Sequence, residues 1–261
     1  MPISPKNLAA IHRLWDELAD FPVAQTNAAL LHLLKTICVW TAAGNGLWIG
    51  GVRMHSEATS GNDPQYGWRA RMVCRLVETP QVHRQNAQTM RAHDADPGLA
   101  TRKLAQHAGV FRVHRLHDGF IDAAAFKRTP HHRLFYQSAG ISDRLWVVFP
   151  VNQDTESYFV FDRVRARRRF QAADAELAAY VLRGIKWFHR HLLLSHGLLV
   201  AQNPLTPTEH RVLQLLLTSQ NESEIAGHLR QSPTTTHKYI TEILRKFNVH
   251  GRTGLTALWL G

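Results

Sequence analysis

Histidines and cysteines are the residues of this sequence whose types could bind a metal or act as nucleophiles at close spacing. Three histidine pairs stand out: His114 with His117, His131 with His132, and His189 with His191. No cysteine or carboxylate set accompanies them at metal-ligand spacing, and Cys38 and Cys74 are too far apart for a CxxC motif. We therefore expect no metal site, no cofactor and no disulfide framework.

Motifs of the common enzyme classes are also missing. The sequence has no P-loop glycines, no GxSxG, no HExxH and no GxGxxG. The apolar segment LWVVFPV is followed by Asn152, whereas a phosphorelay receiver needs an Asp after such a strand. We expect a protein that is not an enzyme and is not controlled by phosphorelay.

Positive charge dominates the chain and favours acidic partners such as nucleic acid. The net charge is +11, of which the segment from residue 203 onward, with six Lys or Arg and four Asp or Glu, contributes only +2. Five arginines cluster at positions 163, 165, 167, 168 and 169. This run is typical of a solvated loop, and the alternatives are contact with a DNA backbone or with an anionic ligand.

Three helix starts can be recognised in the last 60 residues from capping rules alone. Thr206–Glu209 and Asn221–Glu224 are capping boxes, and Ser232 precedes a proline at a first helical position. The second of these helices should end near Arg230, which leaves only a few residues before the third begins. That spacing predicts a helix-turn-helix, and a fourth helix after Gly251 would close a small bundle.

The same segment resembles the LuxR-type DNA-binding domain of bacterial regulators. The resemblance is carried by LTPTE, VLQLL, EIAGHL, SPTTT and ILRKF, followed by Val249 and Arg252, in register over residues 205 to 258. It implies a recognition helix over about 233–247 that enters the major groove of DNA. The chain departs from the family pattern at Ser219, Thr236, His237 and Tyr239.

The resemblance also implies which side chains touch DNA. The base-reading candidates are His237, Lys238 and Thr241, which lie in the first half of the recognition helix and point away from its core face. The candidates for contacts with phosphates are Thr206, Arg230, Ser232, Thr235, Arg245, Lys246 and Arg252. We therefore expect double-stranded DNA as a partner.

The first 195 residues have the pattern of an α+β domain, with helices around a mostly antiparallel sheet. Amphipathic periodicity predicts helices over residues 1–20 and 26–43, followed by a strand at 47–54. Residues 66–77 alternate as a strand with one buried and one basic face, and 144–151 with 156–163 form a hairpin. A long helix is predicted from Asp174 to about Leu194.

Residues 131–185 contain a tyrosine-glycine segment, a two-strand hairpin, an Arg and a Phe, and then a long helix. This order resembles the GAF-like sensor domains that precede LuxR-type modules, with a PAS-like domain as the related alternative. Acyl-homoserine-lactone receptors are another family to consider, but Asp63-Pro64 is followed too closely by Trp68 for their pocket pattern. Aromatic side chains concentrated on one sheet predict an apolar ligand pocket. Its candidate residues are Trp40, Trp48, Trp68, Phe135, Tyr136, Trp146 and Phe159.

We predict three segments: a GAF-like sensor and dimerisation domain at 1–195, a linker at 196–204, and a LuxR-type helix-turn-helix domain at 205–261. The N-terminus lacks the features of a signal peptide and no apolar run reaches membrane-spanning length, so we expect a cytoplasmic protein without membrane contacts. The predicted function is a homodimeric, sequence-specific regulator of transcription, controlled by a small ligand or a partner. The alternatives are a ligand-independent architectural or nonspecific nucleic-acid-binding protein and an acyl-homoserine-lactone-type quorum-sensing receptor.

Overall fold

The chain divides into two compact units, one made of residues 1–12 and 31–186 and the other of residues 13–30 and 187–261. A computed structural model describes residues 3–54, 63–77, 96–199 and 204–260. Residues 200–203 of the predicted linker lie outside these ranges, and the three predicted domain boundaries stay a prediction. The two N-terminal helices are confirmed as α1 (Pro5–Asp20) and α2 (Thr26–Thr41).

A five-stranded sheet forms the centre of the first unit. Its strands are β1 (Asn45–Arg53), β2 (Trp68–Arg75), β3 (Arg112–Arg115), β4 (Ile141–Pro150) and β5 (Thr155–Val164). They are arranged in the order β2-β1-β5-β4-β3, and every pair is antiparallel. The predicted β4–β5 hairpin and the predicted α+β fold class are therefore confirmed.

Strand β2 differs from its prediction, which gave it one buried face. Only Trp68 is buried, and the other residues of β2 are half-buried. Among the strands that the structure describes, β2 lies at the end of the order and has a hydrogen-bonded neighbour on one side only. Alternation in a sequence shows that a strand can present two faces, but it does not show how much of each face is covered.

Short helices pack on one face of the sheet. They are α3 (Gly98–Gln106), α4 (Ala123–Lys127) and α5 (Pro130–His132), the last continuing into a π-helical turn at Arg133–Gln137. Their side chains and those of the sheet form a core cluster that contains Leu47, Ala100, Leu104, Leu116, Ile121, Phe126, Tyr136, Trp146, Val148 and Val160. This cluster joins the short helices to the strands.

A buried ion pair joins β3 and β5, the two strands that flank β4 in the sheet. The Arg112 guanidinium donates to both carboxylate oxygens of Glu156, at 2.8 and 2.7 Å, and the two side chains are only 5% and 0% exposed. The hydroxyl of Tyr158 donates to Glu156 Oε2 at 2.5 Å, because burial and the adjacent carboxylate raise the pKa of Tyr158 well above its usual value. With the Gly109 N–H as a further donor, the buried carboxylate has its acceptors occupied.

The predicted long helix from Asp174 to Leu194 is two helices, and that prediction was wrong. Helix α6 (Ala172–Arg183) ends at Gly184, and α7 (Lys186–Ser195) begins two residues later. Glycine is unfavourable inside a helix because it loses more backbone entropy there than other residues do. The apolar stripe nevertheless continues across the break because Ile185 is fully buried.

Helices make up the second unit. After α7 come α8 (Pro207–Leu216), α9 (Glu222–Leu229), α10 (Pro233–Lys246) and α11 (Arg252–Leu260). Their shared core contains Leu194, Leu205, Val212, Leu213, Leu216, Ile225, Ile240, Ile243, Phe247, Leu255 and Trp259, with Val23 packed against it. Within the described ranges, no helix combines the length and the hydropathy that crossing a membrane requires.

Candidate nucleic-acid interface

Side-chain caps define the starts of α8, α9 and α10. Thr206 Oγ1 accepts from the Glu209 N–H while the Glu209 carboxylate accepts from the Thr206 N–H, and Asn221 with Glu224 makes the same reciprocal pair. Ser232 Oγ accepts from the Thr235 N–H at 3.1 Å. All three predicted helix starts are confirmed, because each cap satisfies N–H groups that the first helical turn leaves unpaired.

The connection between α9 and α10 is a tight turn. Arg230 ends α9 in the left-handed conformation, with φ at +54°, and its N–H donates to the Gly227 carbonyl. The Gln231 N–H donates back to the Ala226 carbonyl at 2.9 Å, so the turn closes on the end of α9. Ser232 follows at once and caps the next helix, and α9 and α10 thus form the predicted helix-turn-helix.

Helix α10 has one buried and one exposed face. Thr236, Ile240 and Ile243 are buried on the inner face. The outer face presents Thr234, His237, Lys238, Thr241 and Arg245, all of them exposed. A helix of this kind can lie in the major groove, where a lysine, a histidine and threonines meet the edges of bases.

The three predicted base-reading residues, His237, Lys238 and Thr241, therefore share one exposed face, and their contact with bases stays a prediction. Thr234 lies on the same face and is absent from the set predicted from the sequence. The sequence indicates this placement, because Thr234 is three residues before His237 and four residues before Lys238, and such spacing puts side chains on one helix face.

His237 and Lys238 differ in the groups that surround them. His237 Nδ1 lies 3.0 Å from Glu222 Oε2, so its imidazole is held against the first turn of α9. Lys238 pairs with no carboxylate within the residues that the structure describes, and its ammonium group is open to an external acceptor. Of the cations on this helix, Lys238 thus has the surroundings best suited to a base or phosphate contact.

Three predicted phosphate contacts are engaged inside the unit. Lys246 Nζ lies 2.7 Å from Glu209 Oε2, and both side chains are largely buried. Arg252 donates to the carbonyl oxygens of Gln220 and Thr218. Arg245 is exposed but its guanidinium pairs with Glu242, at 2.6 Å.

The Lys246 contact changes the ionisation of its partner. Burial alone would raise the pKa of Glu209, but the hydrogen bonds from Lys246 and Thr206 outweigh it and hold that pKa below its usual value. The carboxylate is therefore charged near neutral pH and binds Lys246 firmly. The phosphate roles of Lys246, Arg252 and Arg245 stay predictions. To contact DNA, each of these side chains would have to break its contact inside the unit.

The remaining predicted phosphate contacts cluster at helix ends. Thr206, Ser232, Thr235 and Arg230 are exposed, and the first two are the N-caps of α8 and α10. Because a helix N-terminus carries partial positive charge and N–H groups, Thr206, Ser232 and Thr235 suit an anionic phosphate oxygen, whereas Arg230, which ends α9, offers its guanidinium charge.

Sequence comparison identifies this arrangement. Residues 203–259 match the protein family described as "Bacterial regulatory proteins, luxR family". These residues form a LuxR-family helix-turn-helix domain, the DNA-binding module of that family. The boundaries of the match include all of α8, α9 and α10 and nearly all of α11.

Three solved structures are similar to this chain, and one of them supports a shared fold over nearly its whole length. The structure of "SdiA in complex with octanoyl-rac-glycerol" matches with a TM-score of 0.50 at 12% identity, covering 99% of this chain and 96% of that chain. Escherichia coli SdiA in the space group P6522 covers 96% of this chain and 95% of its own, with a TM-score of 0.45 at 13% identity. The VqsR LBD domain from Pseudomonas aeruginosa covers 70% of this chain and 95% of its own, with a TM-score of 0.48 at 11% identity. No curated protein sequence matches this chain.

The predicted pocket residues outside the LuxR-family domain divide into groups. Tyr136 and Trp146 are buried in the core cluster beside α3 and α4, and Phe135 packs against it. Trp48 and Phe159 are opposite each other in the β1–β5 ladder. Their sequence neighbours, Leu47 and Val160, belong to the cluster, so Trp48 and Phe159 point to the other face of the sheet.

The last two predicted pocket residues occupy separate places. Trp68 is buried at the start of β2, and Trp40 is half-buried near the end of α2. The structure does not bring all seven aromatic residues to one surface. Their role in ligand binding stays a prediction.

Proposed function

We propose that this protein is a transcription regulator that reads a specific operator through α10 and is controlled through its first unit. The exposed face of α10, with Lys238 at its centre, is the observation that carries the proposal. Its residues follow the helical spacing needed to meet successive bases in one groove, and the family match supports DNA as the partner.

A small molecule is the signal that the first unit is best suited to receive. An open cleft of about 430 Å³ lies beside α3, with Leu99 and Ile121 as apolar lining and Arg102 and Lys103 as polar groups. Gln106 and Asp122 also line the cleft, and polar groups beside apolar walls are what orient a ligand in its site. The fold shared with SdiA, which was solved in complex with octanoyl-rac-glycerol, supports the same assignment.

Control by a ligand requires that the ligand bind two states of the protein unequally. We propose that the first unit is a GAF-like sensor that also pairs two chains, so that two helix-turn-helix domains meet the half-sites of a two-fold operator. A cytoplasmic location and the absence of enzymatic activity belong to the same proposal. The proposal also keeps the predicted domain limits, with the sensor domain ending at residue 195 and the helix-turn-helix domain beginning at residue 205.

The experiment compares DNA binding with and without the natural ligand. Small molecules are extracted from purified full-length protein, identified by mass spectrometry and added back to the stripped protein during gel-shift titration of a selected operator. We expect one molecule to copurify in stoichiometric amount and to change operator affinity at least about tenfold, which corresponds to a coupling of about 1.4 kcal/mol.

A matched pair of variants locates the ligand. Leu99→Trp fills the cleft and should abolish copurification, whereas Val110→Trp adds the same side chain at an exposed position and should not. Copurification from both variants would place the ligand elsewhere. Operator affinity that is the same with and without the extract would contradict control by a ligand, while leaving DNA binding intact.

A further inference from the structure

The loop between β5 and α6, residues 165–169, has a well-defined backbone although it is rich in charge. Arg165 adopts the left-handed conformation, with φ at +49°, and its N–H donates to the Gly140 carbonyl at 2.8 Å. The Phe170 N–H donates to the buried carboxylate of Asp143 at 2.7 Å. Both ends of the loop are therefore attached to β4 and the turn before it, and the loop can hold side chains in a constant arrangement.

The five arginines of the run at 163–169 separate into one that points inward and four, all in the loop, that point outward. Arg163 is the one arginine of the run that lies in β5, and it is buried against Asp174 and Phe170. Arg165, Arg167, Arg168 and Arg169 are exposed. Within the described ranges, no carboxylate lies within ion-pair distance of these four guanidinium groups, so nothing in that part of the chain neutralises them. We call these four residues the arginine loop.

Neighbouring elements add to the positive charge of the arginine loop. The pKa of His117 is lowered by burial and further by the charges of Arg169 and Lys127, while the Asp143 carboxylate acts in the opposite direction, so two cations and one carboxylate influence its imidazole. Arg115 donates to the Phe170 carbonyl at 3.1 Å, so a fifth guanidinium reaches the base of the loop. Such a concentration of like charge is unfavourable unless an anion shares the surface.

The positions of the available cations in the chain indicate which anion the arginine loop binds. In the helix-turn-helix unit, Lys246, Arg252 and Arg245 are engaged with groups of their own unit, and residues 203–261 carry a net charge of only +2. DNA-binding proteins draw much of their affinity from neutralised phosphates. We propose that the arginine loop is a second DNA-contacting surface, which binds the phosphate backbone without reading sequence.

The chemistry of arginine favours this partner. The planar guanidinium donates two parallel hydrogen bonds to a phosphate and keeps its charge at every physiological pH. Once α10 has bound its operator, flanking duplex of the same DNA molecule is present at a high effective concentration, so weak contacts add to the affinity. The proposal rests on the proposed function, because it assumes that the chain binds duplex DNA.

The test measures how the DNA affinity of the full-length protein depends on salt. In the test variant Arg167, Arg168 and Arg169 are changed to Ser, while Arg165 is kept because its backbone and its packing on Gly140 shape the loop. The control variant changes Lys6, Lys35 and Arg53 to Ser, which removes the same charge from exposed positions elsewhere in the first unit. Operator duplex with long flanks is titrated from about 50 to 200 mM salt, the range over which phosphate contacts lose most affinity, and circular dichroism melting verifies that both variants fold.

Each phosphate contact contributes about 0.9 to the slope of log affinity against log salt, so losing three contacts per chain, six in the proposed dimer, should make the slope shallower by about 5.4. We expect this change for the test variant and a change below about 0.5 for the control. Equal changes in the two variants, or no change in either, would overturn the proposal.

Two additional measurements distinguish DNA from an anionic membrane, and the arginine loop from α10. Binding to phosphatidylglycerol vesicles that depends on the loop, with an unaltered DNA salt slope, would overturn the proposal in favour of an anionic lipid surface. Lys238→Ala should lower operator affinity without changing the part of the salt slope that depends on the arginine loop. If the wild type binds no duplex at all, the proposed function is wrong. If the wild type binds duplex and the loop variant has the same salt slope, only the role of the arginine loop is wrong.

Discussion

Replacing Lys246 by Met should destabilise the helix-turn-helix unit, because it leaves the Glu209 carboxylate buried without its cation. The Glu209 side chain is 6% exposed and that of Lys246 is 15% exposed, and their charged atoms are 2.7 Å apart. Removing one partner of a fully buried pair costs about 3–5 kcal/mol. Here Glu209 keeps its hydrogen bond from the Thr206 N–H and Lys246 is slightly exposed, so we expect a loss of about 2 kcal/mol.

Native-state hydrogen exchange of the full-length protein measures this loss locally, in peptides that cover α8 and α10. A loss of about 2 kcal/mol should accelerate exchange by about 30-fold at neutral pH. Arg245→Met is the matched control: its ion pair with Glu242 is exposed, and exchange should change by less than about a factor of two. Unchanged exchange in Lys246→Met would refute the reasoning and return Lys246 to the role of phosphate contact.

The pH dependence of the same difference gives a second check. Because the pKa of Glu209 is lowered in the folded protein, the ion pair stabilises the fold fully above the carboxyl's ordinary pKa of 4.5. This stabilisation is lost as the pH falls through the folded-state pKa. The exchange rates of the wild type and Lys246→Met should therefore converge in acid, and a constant difference would contradict the assignment.

Three further predictions address other residues. Lys238→Ala should lower operator affinity by about 1–3 kcal/mol in gel-shift titration and leave affinity for random duplex nearly unchanged, whereas equal losses would reject base reading. Burial lowers the pKa of His196 to about 3, so the unfolded chain takes up a proton that the fold excludes, and stability falls as the pH decreases from about 6.5 toward 3. Hydrogen exchange should report a loss of about 2 kcal/mol between about pH 7 and 5 that His196→Phe removes, and the same loss in the variant would contradict it. Arg112→Met should cost about 3–5 kcal/mol in urea unfolding and Glu156→Gln should restore part of it, whereas a cost below about 1 kcal/mol would show that the pair is dispensable.

Local rules were sufficient where a structure depends on residues close in sequence. The caps at Thr206, Asn221 and Ser232 are each made within three residues, so the helix-turn-helix could be located without any long-range information. The β4–β5 hairpin was predicted for the same reason. Exposure of His237 and Lys238 followed from the helical period once α10 was placed.

Features that depend on distant residues could not be predicted in this way. Lys246 and Glu209 are 37 positions apart, and nothing in the sequence distinguishes this lysine from a solvated one. Periodicity continued through Gly184, so the break between α6 and α7 was hidden by the buried Ile185. The aromatic residues divide between two faces of the sheet because of strand register, which their number alone does not reveal.

Footprinting of the full-length protein on genomic fragments, in the presence of excess random duplex and over a series of salt concentrations, tests the central claim most directly. A regulator that reads sequence through α10 should protect one short two-fold site that survives competitor DNA, and Lys238→Ala should need about 5- to 150-fold more protein to give the same protection. Uniform coverage that disappears steeply with salt, and is equal for the wild type and Lys238→Ala, would contradict sequence-specific binding.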